Sequence, residues 1–182
     1  MKMALLEAKK AYCEDEIPVG CVIVHKNEII ACGYNEKESK NSAIRHAEIV
    51  AIEAACGKLG SWRLDDCDLY VTLEPCMMCL GAIIEARIKN VYFGTKNNSE
   101  QMYDKIRVKS FVNLIFVNSG SCSKILSDFF KRTFYQTSEI PYLLFHSEND
   151  PVLTDLIERA YAECGQQKRY RKQMVNTLLS LF

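Results

Sequence analysis

Four side chains that could bind a metal ion and move protons stand at two short spacings. His46 and Glu48 are separated by one residue, and Cys76 and Cys79, about 30 residues further on, by two. One histidine and two cysteines supply three of the four ligands that zinc prefers, so one position stays open for water. Bound zinc lowers the pKa of that water toward about 7, which makes hydroxide available at neutral pH. We expect His46, Cys76 and Cys79 to hold one Zn²⁺ per subunit and Glu48 to be the catalytic proton carrier.

A closed, purely structural zinc site is the alternative interpretation, and it needs a fourth protein ligand. The candidates for that ligand do not stand at motif spacing, and they are His25, Cys32, Cys56 and Cys67. The spacing therefore favours an open, catalytic site.

Both residue pairs stand at the predicted start of a helix. The helix that starts at His46 is predicted over residues 46–57, with Gly57 as its C-terminal stop. The helix that carries the two cysteines is predicted over residues 75–87, with Pro75 in its first turn. Two residues apart on a helix are about 200° apart around the axis, so His46 and Glu48 can converge only on a point beyond the N-terminus. The positive ends of two helix dipoles at that point would favour thiolate ligands.

The remaining pattern predicts a three-layer α/β/α domain around a mixed five-stranded sheet, with helices on both faces. The strand–helix–strand run at 68–94 is a βαβ unit, so its two strands should be parallel. The first helix should be amphipathic, with its apolar side formed by Met3, Leu5, Leu6, Ala8 and Tyr12. The predicted strands are 19–25, 28–34, 68–73, 90–94 and 111–117, and the first and last helices are 1–14 and 122–135.

Composition limits the classes of protein to which the chain can belong. The 182 residues carry 23 basic and 23 acidic side chains, so any nucleic-acid binding must use a local patch. Nine irregularly spaced cysteines without a preceding signal peptide indicate a reducing, cytoplasmic location with most cysteines buried. Apolar runs stay below about 18 residues, so we expect no membrane contact. Residues 1–136 should form the catalytic domain and residues 137–182 a helical C-terminal extension.

The order H-x-E followed by P-C-x-x-C is the signature of zinc-dependent nucleobase deaminases. Over residues 1–136 the chain resembles the tRNA-specific adenosine deaminases of the cytidine/deoxycytidylate deaminase superfamily. The resemblance rests on the zinc motifs and on segments that surround them: Ile17–Gly20, Gly33–Asn35, Trp62–Leu64, Leu69–Cys79 and Leu126–Phe130. It implies a cytidine-deaminase-like fold, a tRNA anticodon loop as partner and a dimer, either of two identical chains or with a different subunit.

The resemblance also implies roles in substrate binding. Asn35 would bind the target nucleoside, and Val19, Leu73 and Glu74 would form the wall of the pocket for the base. The base would be the adenine at wobble position 34, so that adenosine becomes inosine. The helix that carries Phe129, Phe130 and Arg132 would lie near the anticodon loop, although both phenylalanines could instead pack internally.

The chain departs from the family pattern in two places. Residues 95–110 are shorter than the family's glycine-rich segment, which bears on the choice of substrate. Residues 137–182 have no typical counterpart, and their basic run could contact RNA or form a solvated helix face; it contains Lys168, Arg169, Arg171 and Lys172. A deaminase of free nucleobases, nucleosides or nucleotides, of guanine or cytosine type, therefore stays an alternative. An inactive partner subunit is disfavoured because Glu48 is present.

Overall fold

Five strands form one mixed sheet in the computed structural model, which describes residues 1–97 and 111–132. The spatial order is β2-β1-β3-β4-β5, with β1 antiparallel to β2 and β3, and with β3, β4 and β5 mutually parallel. The parallel pairing of β3 and β4 confirms the predicted βαβ unit. The strands are β1 (Gly20–His25), β2 (Glu28–Tyr34), β3 (Cys67–Leu73), β4 (Asn90–Thr95) and β5 (Asn113–Phe116).

Helices cover both faces of the sheet, which confirms the three-layer architecture. The helices are α1 (Lys2–Cys13), α2 (Ala47–Leu59), α3 (Met77–Glu85) and α4 (residues 120–132). Neighbouring residues of a strand point to opposite faces of the sheet, so Gly20 of β1 lies on one face and Cys21 on the other. α1 packs on the Gly20 face, which α4 shares, whereas α2 and α3 bury their apolar residues against the other face with Cys21.

The buried side of α1 differs from the predicted one. The structure buries Ala4, Glu7, Ala8 and Ala11, while Met3 and Leu6 are 42% and 47% exposed. The reason is the close approach of α1 to β1: a Cβ on Gly20 would lie 2.1 Å from the carbonyl oxygen of Ala4. Only small side chains fit such an interface, so the helix turns its alanines inward rather than its larger apolar residues.

Two helix boundaries also differ from the prediction. α2 continues through Gly57 and ends at Leu59, and its C-cap is Gly60, whose φ of 64° is the left-handed conformation that glycine adopts at helix C-termini. α3 begins at Met77, because Cys76 keeps an extended backbone (φ −76°, ψ 171°) and is the N-cap. Pro75 therefore precedes the helix instead of occupying its first turn.

The cysteines only partly follow the prediction that most are buried. Cys21, Cys67 and Cys122 are buried, whereas Cys32 and Cys56 are half-buried and Cys13 is exposed. Among the residues that the structure describes, no helix combines the length and apolar character needed to cross a membrane. The first compact unit ends at Phe129, and the predicted domain boundary at 136–137 lies outside the described residues and stays a prediction.

Replacing Gly33 by alanine should destabilise the fold and loosen the site that α2 carries. A Cβ on Gly33 would lie 2.5 Å from the carbonyl oxygen of Ala47 and 2.7 Å from the backbone nitrogen of Ala51, so α2 must shift. We expect the free energy of unfolding to fall by about 1–3 kcal/mol, measured by urea denaturation, together with weaker zinc retention.

Gly57→Ala is the matched control, because Gly57 lies on the same helix and a Cβ there would meet no heavy atom within 4 Å. Alanine is favoured over glycine in a helix interior, so this variant should be neutral or more stable by up to about 1 kcal/mol. Equal losses in the two variants would contradict the close packing of β2 against α2.

Candidate metal centre and active site

The three predicted metal ligands meet at one point between α2 and α3. The Sγ atoms of Cys76 and Cys79 lie 3.6 Å apart, and each lies 3.6 Å from Nδ1 of His46. In the part of the chain that the structure describes, these residues are the one group of histidine, cysteine and acidic side chains with the closeness that a metal ion requires.

The triangle of donor atoms fits zinc. Bonds of about 2.3 Å to sulfur and about 2.0–2.1 Å to nitrogen, at tetrahedral angles, place ligand atoms roughly 3.5–3.8 Å apart. Each observed edge of 3.6 Å falls within that range. The donor set and its spacing therefore suit a three-ligand zinc site with a further position open on the cavity side.

Two helix N-termini bring these side chains together. His46 is the N-cap of α2 and Cys76 the N-cap of α3, both with extended backbone, so their side chains project beyond the helix ends. Cys79 reaches the same point from the first turn of α3, and Glu48 from the first turn of α2. The predicted convergence of two helix starts is confirmed, with His46 and Cys76 as caps rather than first-turn residues.

Asn35 links β2 to the start of α2. Its side-chain Oδ1 accepts a hydrogen bond of 3.0 Å from the backbone N–H of Ala47, and its backbone N–H donates to the carbonyl oxygen of Val19. The first N–H groups of a helix lack partners within the helix, so this side chain supplies one from outside. Because Oδ1 accepts that N–H, the orientation of the amide is fixed, and Nδ2 is the atom of this side chain that can donate a hydrogen bond.

The cysteine pair is electrostatically asymmetric in the metal-free site. Hydrogen bonds with Cys79 and His46 lower the pKa of the Cys76 thiol to about 3. The hydrogen bond with Cys76, reinforced by burial and by the charge of Glu48, raises the pKa of Cys79. The bond with Cys76 also raises the pKa of His46. Cys76 is therefore the thiolate of the pair, and the proton stays on the sulfur of Cys79, which is more deeply buried.

Glu48 is a buried carboxyl beside this centre. Its exposed fraction is 3%, and desolvation raises its pKa to about 7 in the metal-free site, with the charge of Cys76 adding to the effect. A carboxyl whose pKa lies near neutrality can both accept and donate a proton at working pH, which is the property required of a general acid–base group.

A cavity of about 220 Å³ is lined by three of these four side chains, His46, Glu48 and Cys76. All the residues predicted to bind substrate line it: Val19, Asn35, Leu73 and Glu74. Glu74 is buried, and its Oε2 accepts the N–H of Asn97 at 3.0 Å. The cavity lies below the roughly 300–1,000 Å³ of pockets for drug-sized ligands, so its size suits a single base.

The sequence analysis missed several residues that line this cavity. Lys37 and Glu38 are exposed at its rim, Glu16 is buried beneath them, and Asn97 lines it from two residues beyond the end of β4. Glu16 directly precedes the Ile17–Gly20 segment, and that adjacency was the available signal. Nothing in the spacing of Lys37, Glu38 or Asn97 marks them, since they are brought in by loops.

Comparison with known proteins identifies the chain's relatives. The family described as the cytidine and deoxycytidylate deaminase zinc-binding region matches residues 1–95. A tRNA-specific adenosine deaminase of Streptococcus pyogenes is 39% identical over 159 residues, which cover 83% of this chain and 92% of that protein. The chain belongs to the family of tRNA-specific adenosine deaminases. The resemblance to tRNA-specific adenosine deaminases is thereby confirmed, and the protein belongs to the zinc-binding deaminases.

Solved structures agree with this assignment of the deaminase. One comes from studies of A-to-I editing by tRNA:A34 deaminases at the wobble position of transfer RNA. It has a TM-score of 0.64 and 35% identity, and the match covers 69% of this chain and 97% of that one. A guanine deaminase from Bacillus subtilis is 42% identical with a TM-score of 0.51, over 55% of this chain and 64% of that one.

The residues expected near RNA are only partly described in this deaminase. Phe129 is 5% exposed and packs edge-on against the ring of Tyr12, which favours the packing alternative, whereas Phe130 is 50% exposed. Arg132 is half-buried at the end of the described part of α4. Most of the 95–110 segment and the basic run lie outside the described residues; the run's expected RNA contacts were Lys168, Arg169, Arg171 and Lys172.

Zinc affinity should fall as pH falls. Cys79 keeps its proton at neutral pH because its pKa is raised, and it must lose that proton to become a ligand, whereas Cys76 is already a thiolate. His46, whose pKa is also raised, must lose its proton as well, so we expect the logarithm of the affinity to rise by about one to two for each pH unit between pH 6 and 8. Calorimetric titration of metal-free protein in buffers of different ionisation enthalpy measures the proton release directly.

Cys13→Ser is the control for this titration, because Cys13 is exposed and lies outside the metal triad. Its affinity and proton release should match those of the unmodified protein. An affinity that stays constant between pH 6 and 8 would contradict a protonated Cys79 in the metal-free site.

Proposed function

We propose that this deaminase hydrolyses the adenosine at wobble position 34 of tRNA to inosine, with release of ammonia. The observation that carries the proposal is the arrangement of a zinc-fitting triad and a buried carboxyl beside one base-sized cavity. The substrate is supported by relatives named for tRNA adenosine and by a structural neighbour that acts on A34.

The chain's metal ligands would be His46, Cys76 and Cys79, holding one Zn²⁺ per subunit. When bound, the ion supplies Lewis-acid chemistry, since it lowers the pKa of a water toward about 7 and so makes hydroxide available at neutral pH. The two thiolates, each near a helix N-terminus, lie where the helix dipoles stabilise negative charge. Burial of Cys79 and partial burial of the other two keep bulk water from competing for the ligands.

Glu48 moves the protons. Its carboxylate takes a proton from the attacking water and delivers it to N1 of the adenine as the C6–O bond forms. It then takes the proton from the new C6 hydroxyl and transfers it to the exocyclic amine as the C6–N bond breaks and the C6=O bond forms, so that inosine and ammonia leave. The position of Glu48 in the first turn of α2, two residues after His46, holds it beside the reacting atoms without using it as a ligand.

The walls of the cavity hold the base. Val19 and Leu73 present apolar surface to a flat ring, and Glu74 is fixed by the N–H of Asn97. Asn35 donates through Nδ2 to the nucleoside while its Oδ1 stays on α2. A base in a duplex or stacked loop must be turned outward to reach such a cavity, which suits an unpaired anticodon nucleotide.

Assembly and location complete the proposal. We infer that the deaminase works as a dimer, because an electrically neutral chain must assemble its RNA-binding surface locally. A second copy of the chain is the simplest partner, and a different subunit is the alternative. A tRNA substrate and reduced cysteines are consistent with the cytoplasm.

An inosine assay tests the substrate. Purified zinc-loaded protein is incubated with tRNA carrying A34, and separately with free adenosine, cytidine and guanine, and products are resolved by chromatography. We expect inosine at position 34 and little conversion of the free compounds. Conversion of guanine beside an untouched tRNA would favour the second candidate, a free-base deaminase, which the similarity to the guanine deaminase of Bacillus subtilis supports.

Glu48→Gln should abolish turnover while zinc stays bound. The amide keeps the size of the carboxyl but cannot exchange a proton, so kcat should fall by about 10²–10⁴. Metal content, measured by mass spectrometry, should equal that of the unmodified protein because Glu48 is not a ligand. Loss of zinc together with activity would show that the division between ligands and proton carrier is wrong.

Asn35→Asp should separate the two contacts that Asn35 makes. Aspartate still accepts the N–H of Ala47 but lacks the Nδ2 donor, so KM should rise while melting temperature and zinc content hold. Asn35→Ala removes both contacts and should also cost about 1 kcal/mol of stability, measured by denaturation. If Asn35→Asp kept the original KM, Asn35 would serve α2 alone and not the nucleoside.

A further inference from the structure

The loop of residues 36–42 forms one rim of the cavity and is held in a tight turn. Backbone N–H groups of Lys40 and Ser42 donate to the carbonyl oxygens of Glu36 and Lys37, each at 3.0 Å. The N–H of Asn41 donates to the carbonyl oxygen of Glu38 at 3.3 Å. The loop therefore presents its side chains from a defined backbone.

Glu16 anchors this loop from below. Its side chain is 1% exposed, and its two carboxylate oxygens accept the N–H groups of Ser39 at 2.7 Å and Glu38 at 3.1 Å. Burying a carboxylate is costly unless it is hydrogen-bonded, so this pair of bonds fixes the loop and the carboxylate together. Glu16 itself lines the cavity beside the segment that walls the base.

Two cations in this region differ in what they contact. Arg45 is committed internally, since its guanidinium binds Glu36 at 2.6 Å and Glu53 at 2.7 Å. Lys37 lines the cavity, is exposed, and takes part in none of the ion pairs within residues 1–97 and 111–132. Among the described lining residues it is the one lysine or arginine, and four lining residues carry carboxyl groups: Glu16, Glu38, Glu48 and Glu74.

We propose that Lys37 binds a backbone phosphate next to the target nucleoside, and that Glu16 is the residue that positions Lys37 for this contact. The inference rests on the proposed function and deepens it, because it assigns a phosphate subsite to the rim of the same cavity. The carboxyl groups that line the cavity do not attract an RNA backbone, whereas the exposed ammonium group of Lys37 supplies the charge opposite to that of a phosphate. A free base carries no phosphate, so the contact also favours a polynucleotide over a free base.

The test compares Lys37→Ala with Lys40→Ala, using an anticodon stem–loop RNA that carries A34. Lys40 is exposed in the same loop but does not line the cavity, so it controls for net charge. Lys37→Ala should lower kcat/KM roughly three- to tenfold through KM, with kcat unchanged, and should reduce the salt dependence of log KM by about 0.7, the value for one phosphate contact on a single strand. Lys40→Ala should change kcat/KM less than twofold, and Lys37→Arg should retain activity.

A double-variant cycle tests the positioning role of Glu16. Glu16→Gln replaces one of the two acceptor oxygens by a donor, so it releases one backbone N–H of the loop and should raise KM about as much as Lys37→Ala. If Glu16 acts through Lys37, adding Glu16→Gln to Lys37→Ala should raise KM by less than twofold more. A full, multiplicative effect in the double variant would overturn the positioning role.

Failure of this inference is distinct from failure of the proposed function. Equal kcat/KM for Lys37→Ala and Lys40→Ala, with A34 still converted by the unmodified protein, would overturn the phosphate contact alone. Absence of A34 conversion by the zinc-loaded, unmodified protein would overturn the proposed function and this inference with it. Zinc content and melting temperature of each variant must match those of the unmodified protein, and Lys37→Arg provides a second reading if Lys37→Ala unfolds.

Discussion

The structure depends on holding two helix N-termini so that three ligand atoms stand 3.6 Å apart. α2 brings His46 and Glu48, and α3 brings Cys76 and Cys79, so an error in the angle or distance of either helix would open the triangle. Each helix follows the sheet closely: Gly33 lets α2 approach β2, and α3 follows directly from β3 in the parallel βαβ unit. The positions of the three ligand side chains therefore depend on how closely the two helices pack on the sheet.

Small residues allow this close approach throughout the fold. Gly20 faces α1, Gly33 faces α2 and Gly94 faces Cys122 of α4, and at each position a Cβ would lie under 3 Å from a neighbouring atom. Buried alanines of α1 and α2 complete the contact at the first two positions. Larger side chains would force the layers apart, and a shift of about 1 Å is enough to misplace catalytic groups and slow a reaction by about 10²-fold.

Reaction and substrate are set by different parts of the cavity. The buried end, with Glu48 and the metal triad, provides hydrolytic chemistry that related deaminases with other substrates could share. Asn35 connects the cavity to α2, because its Oδ1 accepts the N–H of Ala47 at the start of that helix and its side chain lines the cavity.

The type of reaction and the order of the strands and helices could be predicted from the sequence alone. The spacings of His46, Glu48, Cys76 and Cys79 identified the donor set, because ligand type and helix periodicity are local properties. The tertiary structure decided which face of α1 is buried, where the helices of the site begin and end, and which loop residues line the cavity. Glu16 and Lys37 are more than twenty positions apart in sequence, and only the hydrogen bonds between Glu16 and the loop of residues 36–42 bring them to the same rim. Such contacts depend on how the layers pack, and they cannot be predicted from the alternation of apolar and polar residues along the chain.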